Sequence, residues 1–314
     1  MAKYLMKRIL YAIFTLWIVV TITFVMMMGV PGNPFAGEKA LPQAVLDNLM
    51  AFYKLDQPLI MQYFNYLLRV VTLDFGPSMR SQSTDINTYI ANGLPVSMQL
   101  GLQALLVALV LGVLLGVIAS LNHNKVGDYL ATVIAIVGVS VPSFVMGRFL
   151  IIVFVTNFKV LSFGAFHGFE NWSYSILPSI ALAALPLATI ARLTRSSMLE
   201  VINQEYIKTA RAKGLKQSAI IIKHALRNAI LPIVSALGTI TTNLVTGSFV
   251  VERIFGIPGL GEAFIKSVES RDYAMIIAST VVYSFILIVI TLVIDISYTF
   301  IDPRINLVGG AKNG

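Results

Sequence analysis

Few residues of this 314-residue chain could do chemistry, and they are scattered. The three histidines, His123, His167 and His224, stand in different loops, with no His-x-x-x-His spacing and no carboxylate partner of the kind a metal site needs. They read as loop or interface residues. The absence of cysteine excludes disulfides, thiolate metal sites and thiol catalysis, and fits either side of a membrane. No Gly-x-x-x-x-Gly-Lys-Ser/Thr loop is present to cradle phosphates, so if ATP drives this protein another chain must bind it. An intramembrane protease needs a buried nucleophile with its base, or two buried aspartates. No Gly-x-Ser-x-Gly elbow occurs, and Asp295 is the only acid beside an apolar run. No catalytic, cofactor-binding or metal-binding residue is expected. One ionisable residue, Arg148, falls inside an apolar run, where such groups are functional candidates. Its long stem can also carry the charge to the surface, and both readings stay open.

The elements that must hold these residues are membrane spans. The chain is 57% hydrophobic and 12% charged, where a soluble protein carries roughly 25% charged residues. Too little polar surface remains to cover a water-soluble core. A helix crossing about 30 Å of hydrocarbon needs about 20 residues. Six runs meet that need: Ile9–Gly29, Ser97–Leu121, Tyr129–Thr156 (interrupted by Pro142), Ser175–Ala191, Ala229–Val251 and Ala274–Ile294. The expected fold class is all-α, a polytopic membrane protein of six helices. The first run follows Lys3, Lys7 and Arg8 and is longer than a signal peptide's apolar stretch, so it reads as an uncleaved span. Between the first two spans, Leu41–Lys54 is amphipathic. Leu59–Val71 is apolar but too short to cross, which suits a piece lying along an interface or packed on a membrane domain. The pair Gly112 and Gly116 permits close helix approach, or is simply tolerated. Residues 157–174 are rich in aromatics, which favour the membrane–water boundary. The expected domains are 1–96, a span with an extracytoplasmic segment, and 97–314, a five-helix core with a cytoplasmic loop at 192–228.

The net charge is +8, and its strongest asymmetry lies in one loop. Residues 192–227 carry Arg192, Arg195, Lys208, Arg211, Lys213, Lys216, Lys223 and Arg227 against Glu200 and Glu205. Basic loops lie in the cytoplasm. Alternation from a cytoplasmic N-terminus gives the same side, and the last span returns the C-terminus there. Leu199–Lys213 is expected to form a helix with Ile202, Tyr206 and Ala210 on one face, and Gly214 suits its stop. Residues 218–228 suit a second amphipathic turn leading into the fifth span. Small Thr209, Ala210 and Ala212 would let a partner approach the backbone; a plain solvated basic loop is the other reading. In the fifth span Ser235, Thr239, Thr242, Asn243 and Thr246 either line a path or bond between helices.

The run from Tyr206 to Leu215 (Tyr-Ile-Lys-Thr-Ala-Arg-Ala-Lys-Gly-Leu) resembles the Glu-Ala-Ala loop of bacterial ABC importer permeases, closest to the dipeptide/oligopeptide permease family. So does the segment His224–Pro232 that follows it. The wider pattern has Glu-Ala-Ala-x-x-x-Gly. Lys208, Thr209 and Ala210 occupy those three places here, so a contact made by the glutamate does not carry over. Asp74–Ser78, Val141–Phe144, Glu252–Gly261, Asp302–Arg304 and the first span with its Pro-Gly-Asn-Pro also resemble this family. The resemblance implies a type I permease fold in the bacterial inner membrane. It implies a second homologous permease, two cytoplasmic ATPases that bind the ATP and magnesium, an external binding protein, a peptide substrate and no nucleic acid. The chain itself would hold no cofactor and would not be an enzyme. It implies ATPase coupling through Tyr206, Thr209, Ala210, Arg211, Gly214 and Leu215. Nickel-chelate and glutathione permeases share these motifs. An ATP-independent transporter and a membrane scaffold are the rival readings.

Overall fold

The structure, a computed structural model, describes residues 2–29, 34–35, 42–161 and 173–301. Two compact units result: residues 1–96 with 258–314, and residues 97–257. In sequence the expected division ran 1–96 and 97–314. In space the last helix lies against the first, and this groups 258–314 with the N-terminal unit. Among the described residues four helices are long and apolar enough to cross a membrane, and the total is six when each of two bent pairs counts as one span. The six-span, all-helical expectation therefore holds, with four changes inside it.

The unit of residues 97–257 is built round α7 (Ser173–Ile202). Its neighbours are α4 (Ile86–Leu121), α5 (Val126–Ser140), α6 (Ser143–Asn157, its last seven residues π-wound) and α10 (Leu231–Phe255). Glycines seat them. A Cβ on Gly116 would stand 2.4 Å from the Thr194 Cβ, and one on Gly112 2.9 Å from the Ile190 Cβ. On α5, a Cβ on Gly138 would stand 2.6 Å from the Ala184 carbonyl oxygen. Close approach, the first of the two glycine readings, is what Gly112 and Gly116 serve.

The third expected span, Tyr129–Thr156, is instead two limbs bent by 109° at Val141 and Pro142. The residue before a proline is pushed out of the helical region, and Val141 sits at φ −96°, ψ 117°. A hollow of about 170 Å³ lies at the bend, lined by Val139, Ser140, Pro142, Ser143, Leu185 and Pro186 among others. The fourth helix overruns its expected end at Ala191 by eleven residues. The fifth starts at Leu231, after a 52° bend from the preceding α9 (Gln217–Ala229). Pro232 fits there because the first turn of a helix has no use for its missing N–H. The fourth change, at Asn203 and Gln204, concerns the loop described below.

In the other unit α1 (Ala2–Gly29) packs on α12 (Tyr273–Ile301) and on α3 (Leu59–Thr72). Its buried side chains are Val20, Phe24 and Met27. The short helices α2 (Gln43–Phe52) and α11 (Leu260–Ser270) complete it. The Asp74–Ser78 stretch is a tight loop with Gly76 at φ +70°. Asp74 Oδ1 accepts from the Gly76 amide (3.2 Å), and Arg69 Nη1 donates to the Phe75 carbonyl (2.8 Å). The Ser78 hydroxyl donates to the buried Asp272 carboxylate, which also accepts from the Met79 and Met275 amides at 3.2 Å and so caps α12. Outside the spans, Asp85 accepts from the Thr88 hydroxyl (2.7 Å) and amide (2.8 Å) at the head of α4. The hydroxyl bond first, and the amide bond next, hold that carboxyl below its usual range.

Candidate functional site

The loop between α7 and α10 holds the strongest sequence signal. The single helix expected over Leu199–Lys213 is interrupted: α7 ends at Ile202 and α8 runs Glu205–Ala212. Asn203 Nδ2 donates to the Leu199 carbonyl (2.9 Å), taking one of the acceptors left free at a helix end. Gln204 is extended at ψ 150°, which turns the chain before α8 begins. At the far end Gly214 takes φ +75°. The Gly214 amide donates to Arg211 (2.9 Å) and the Leu215 amide to Ala210 (3.4 Å), closing α8 as a left-handed cap. A Cβ at Gly214 would meet no atom within 4 Å. Glycine is required there by backbone conformation, not by space.

One face of α8 is rooted in its own subunit. Ile207 is wholly buried and Ala210 nearly so, packed with Met198 of α7 and with Ile220, Ala225 and Ala229 of α9. The expected face of Ile202, Tyr206 and Ala210 is thereby shifted. Ile207 replaces Tyr206 at its centre, because the break at Asn203 and Gln204 resets the helical phase. Sequence reasoning passed over Ile207; an apolar residue three before Ala210 was the available signal. Ala210 faces inward, so its side chain is not on the free surface. Tyr206, Thr209, Arg211, Gly214 and Leu215 are exposed. Tyr206 is also stapled, its hydroxyl accepting from Asn228 Nδ2 at 2.9 Å. Thr209 Oγ1 donates to the Glu205 carbonyl (3.1 Å), and Lys208 pairs with Glu205 at 2.7 Å on the exposed side, where such a pair is worth under about 1 kcal/mol.

Above this root α7 is fixed by an ion pair that no sequence motif announces. Arg195 Nε and Nη2 donate to the two oxygens of the buried Asp128 carboxylate, at 2.6 and 2.7 Å. The Asn124 amide adds a third bond at 3.0 Å, and His123 Nδ1 stands 3.3 Å from Asp128 Oδ2. The turn between α4 and α5 is thus tied to α7 two turns before the loop. His123 belongs to this cluster. His224 lies half-buried in α9, and His167 lies outside the described residues.

On α10, Ile233, Ile240 and Leu244 are buried, while Ser235 and Thr239 are exposed one turn apart and Thr242 is half-buried. Asn243 and Thr246 are helical, and their side chains lie outside those described. Arg148 is exposed near the end of the α-helical part of α6, with the neighbouring Gly147 packed under Phe255. The resemblance at Asp302–Arg304 falls outside the described residues.

Residues 112–307 match the model of the binding-protein-dependent transport system inner membrane component, and residues 1–101 match that of its N-terminal region. A dipeptide transport system permease protein of Bacillus subtilis (strain 168) is 46% identical over 310 residues, covering 98% of this chain and 99% of the relative. An oligopeptide transport system permease protein of Salmonella typhimurium is 42% identical over 305 residues, covering 97% and 99%. A crystal structure of an amino acid ABC transporter with histidines superimposes with a TM-score of 0.50 at 18% identity, over 69% of this chain and 94% of that one, and this shows a common fold. The multi-span architecture and matches over nearly the whole length agree: the chain belongs to the family of inner membrane components of binding-protein-dependent transport systems.

Proposed function

We propose that the chain translocates dipeptides or oligopeptides as one of two homologous permease subunits of an ATP-driven importer working by alternating access. The observation that carries this is α8: a short helix, anchored by Ile207 and Ala210, that presents Tyr206, Thr209, Arg211 and Leu215 outward. A helix rooted on one face and bare on the other suits the groove of a cytoplasmic ATPase. Ala210 serves that role from the anchored side. Two ATPases, one per permease, bind the nucleotide, and an external binding protein delivers the solute. Movement of the docked helix passes through α9 into α10, whose Ser235, Thr239, Thr242, Asn243 and Thr246 are proposed to line the path. The basic surplus of residues 192–227 supports a cytoplasmic loop with both termini on that side and residues 31–96 on the outer side of the membrane. The peptide substrate rests on the names of the relatives.

The test is uptake of labelled di- and oligopeptides into vesicles holding the complete complex. ATP-dependent uptake is expected, with Gly214→Leu lowering it at least about tenfold, because a side chain at φ +75° costs roughly 1–2 kcal/mol and deforms the docking cap. Uptake that proceeds equally without ATP and ATPases would mean a transporter working alone. Uptake of a metal chelate or glutathione in place of peptides would reassign the substrate and leave the mechanism intact.

A further inference from the structure

Helix α3 is amphipathic the wrong way round for a helix on a water-facing surface. Its polar side chains point into the protein. Gln62 Nε2 donates to the Leu55 and Gln57 carbonyls at 2.9 and 2.7 Å, Asn65 Nδ2 to Gln57 Oε1 at 2.8 Å, and Arg69 to the Phe75 carbonyl at 2.8 Å. Its apolar side chains point out. Ile60, Met61, Phe64, Leu68 and Val71 are each 55–79% exposed. At about 100° per residue they fill one arc of roughly 100° with no charge in it.

The depth of α3 says what that arc meets. Tyr63 hydrogen-bonds through its hydroxyl to Thr21 Oγ1 at 2.7 Å, and the rings of Tyr63 and Tyr66 each lie 5.4 Å from that of Phe24. Thr21 and Phe24 belong to the membrane span Met6–Gly29. At about 1.5 Å per residue they stand only about 5 and 10 Å from its middle, inside the roughly 15 Å half-thickness of the hydrocarbon. A helix touching α1 at that depth is level with acyl chains. Its own backbone is hydrogen-bonded within the helix, so nothing in its exposed arc requires water.

We infer that α3 is a membrane-embedded but non-spanning helix whose Ile60–Phe64–Leu68–Val71 arc contacts lipid acyl chains, continuing the lipid-facing surface of α1. Its 14 residues rise about 21 Å, too short to cross. The polar face then works as a hook, holding the Asp74–Ser78 loop at the membrane boundary. This inference rests on the span of α1 and not on transport.

The cysteine-free sequence makes the test direct. Phe64→Cys and Leu68→Cys would be labelled with bimane in the complete complex, reconstituted in phosphatidylcholine vesicles with or without brominated acyl chains. Quenching of at least about twofold by brominated lipid, and little by aqueous iodide, is expected at both sites. Gln82→Cys, in the exposed loop, should show the reverse. Iodide quenching at Phe64 and Leu68 would overturn the inference. So would protection from both quenchers together with cross-linking to another subunit, which would make the arc a protein interface. If the cysteine variants assemble poorly, Phe64→Trp, read by brominated-lipid quenching against the parent chain, distinguishes the same outcomes.

Discussion

Helices α1 and α7 both pass for membrane spans, yet they are built for opposite surroundings. In α1 11% of the most apolar stretch is buried within the protein; in α7 the figure is 56%. Of the four unbroken spans among the described residues α7 is the least apolar. Water would reverse that ranking. In a bilayer the lipid already satisfies an apolar surface, so the protein interior gathers small and weakly polar residues that let helices close on each other. Ala181, Ala183, Ala188, Ala191 and Thr194 of α7 are buried, whereas α1 presents Ile13, Phe14, Val25 and Met26 outward. Hydropathy finds spans, but here the least apolar of them is the one most deeply buried in protein.

Three substitutions sharpen or break this contrast. Arg195→Ala should do the most damage, because it leaves the buried Asp128 carboxylate without its two strongest bonds. Truncating one partner of a buried pair costs about 3 kcal/mol, somewhat less here because Arg195 is about a third exposed. Thermal unfolding of the purified complex reads the loss, and the paired change Asp128→Asn with Arg195→Gln should recover part of it. Next comes Gly116→Ala. Its new methyl would press on Thr194 and Ala191, at a cost of about 1–3 kcal/mol, while Gly101→Ala on the same helix, with nothing within 4 Å, should be neutral in the same assay. Least of all, Phe14→Leu on the outward side of α1 should shift stability by no more than about 0.5 kcal/mol. A large loss at Phe14 would mean that protein, not lipid, covers α1.

The spans and the left-handed stop at Gly214 were legible in the sequence, because each follows from a local cause: apolar length in one case, backbone freedom in the other. The phase of α8 was not. It depends on the chain breaking at Asn203, and that break competes with a helical continuation of nearly equal local propensity. The Asp128–Arg195 pair was invisible for another reason. Its partners lie 67 residues apart, and only the packing of α5 on α7 brings them together. Pro142 announced an interruption but not its size, since the 109° turn accompanies the packing of both limbs on α7 and of α6 on α10. Likewise, an apolar run too short to cross placed α3 along an interface or on a membrane domain, and only its contact with Thr21 and Phe24 shows which side faces in.

The bend at Pro142 also bears on how a push would travel along the third crossing. A straight rod delivers a push along its own axis. Two limbs set at 109° convert the same push into torque about their joint. Pro142 brings no N–H to stiffen that joint, and the hollow beside it leaves room to turn. The tight seam between Gly138 and Ala184 makes α5 follow α7 closely. Both limbs pack on α7, so a displacement along α7 would carry them together, and the bend would let their angle change where a straight helix would move as one rod.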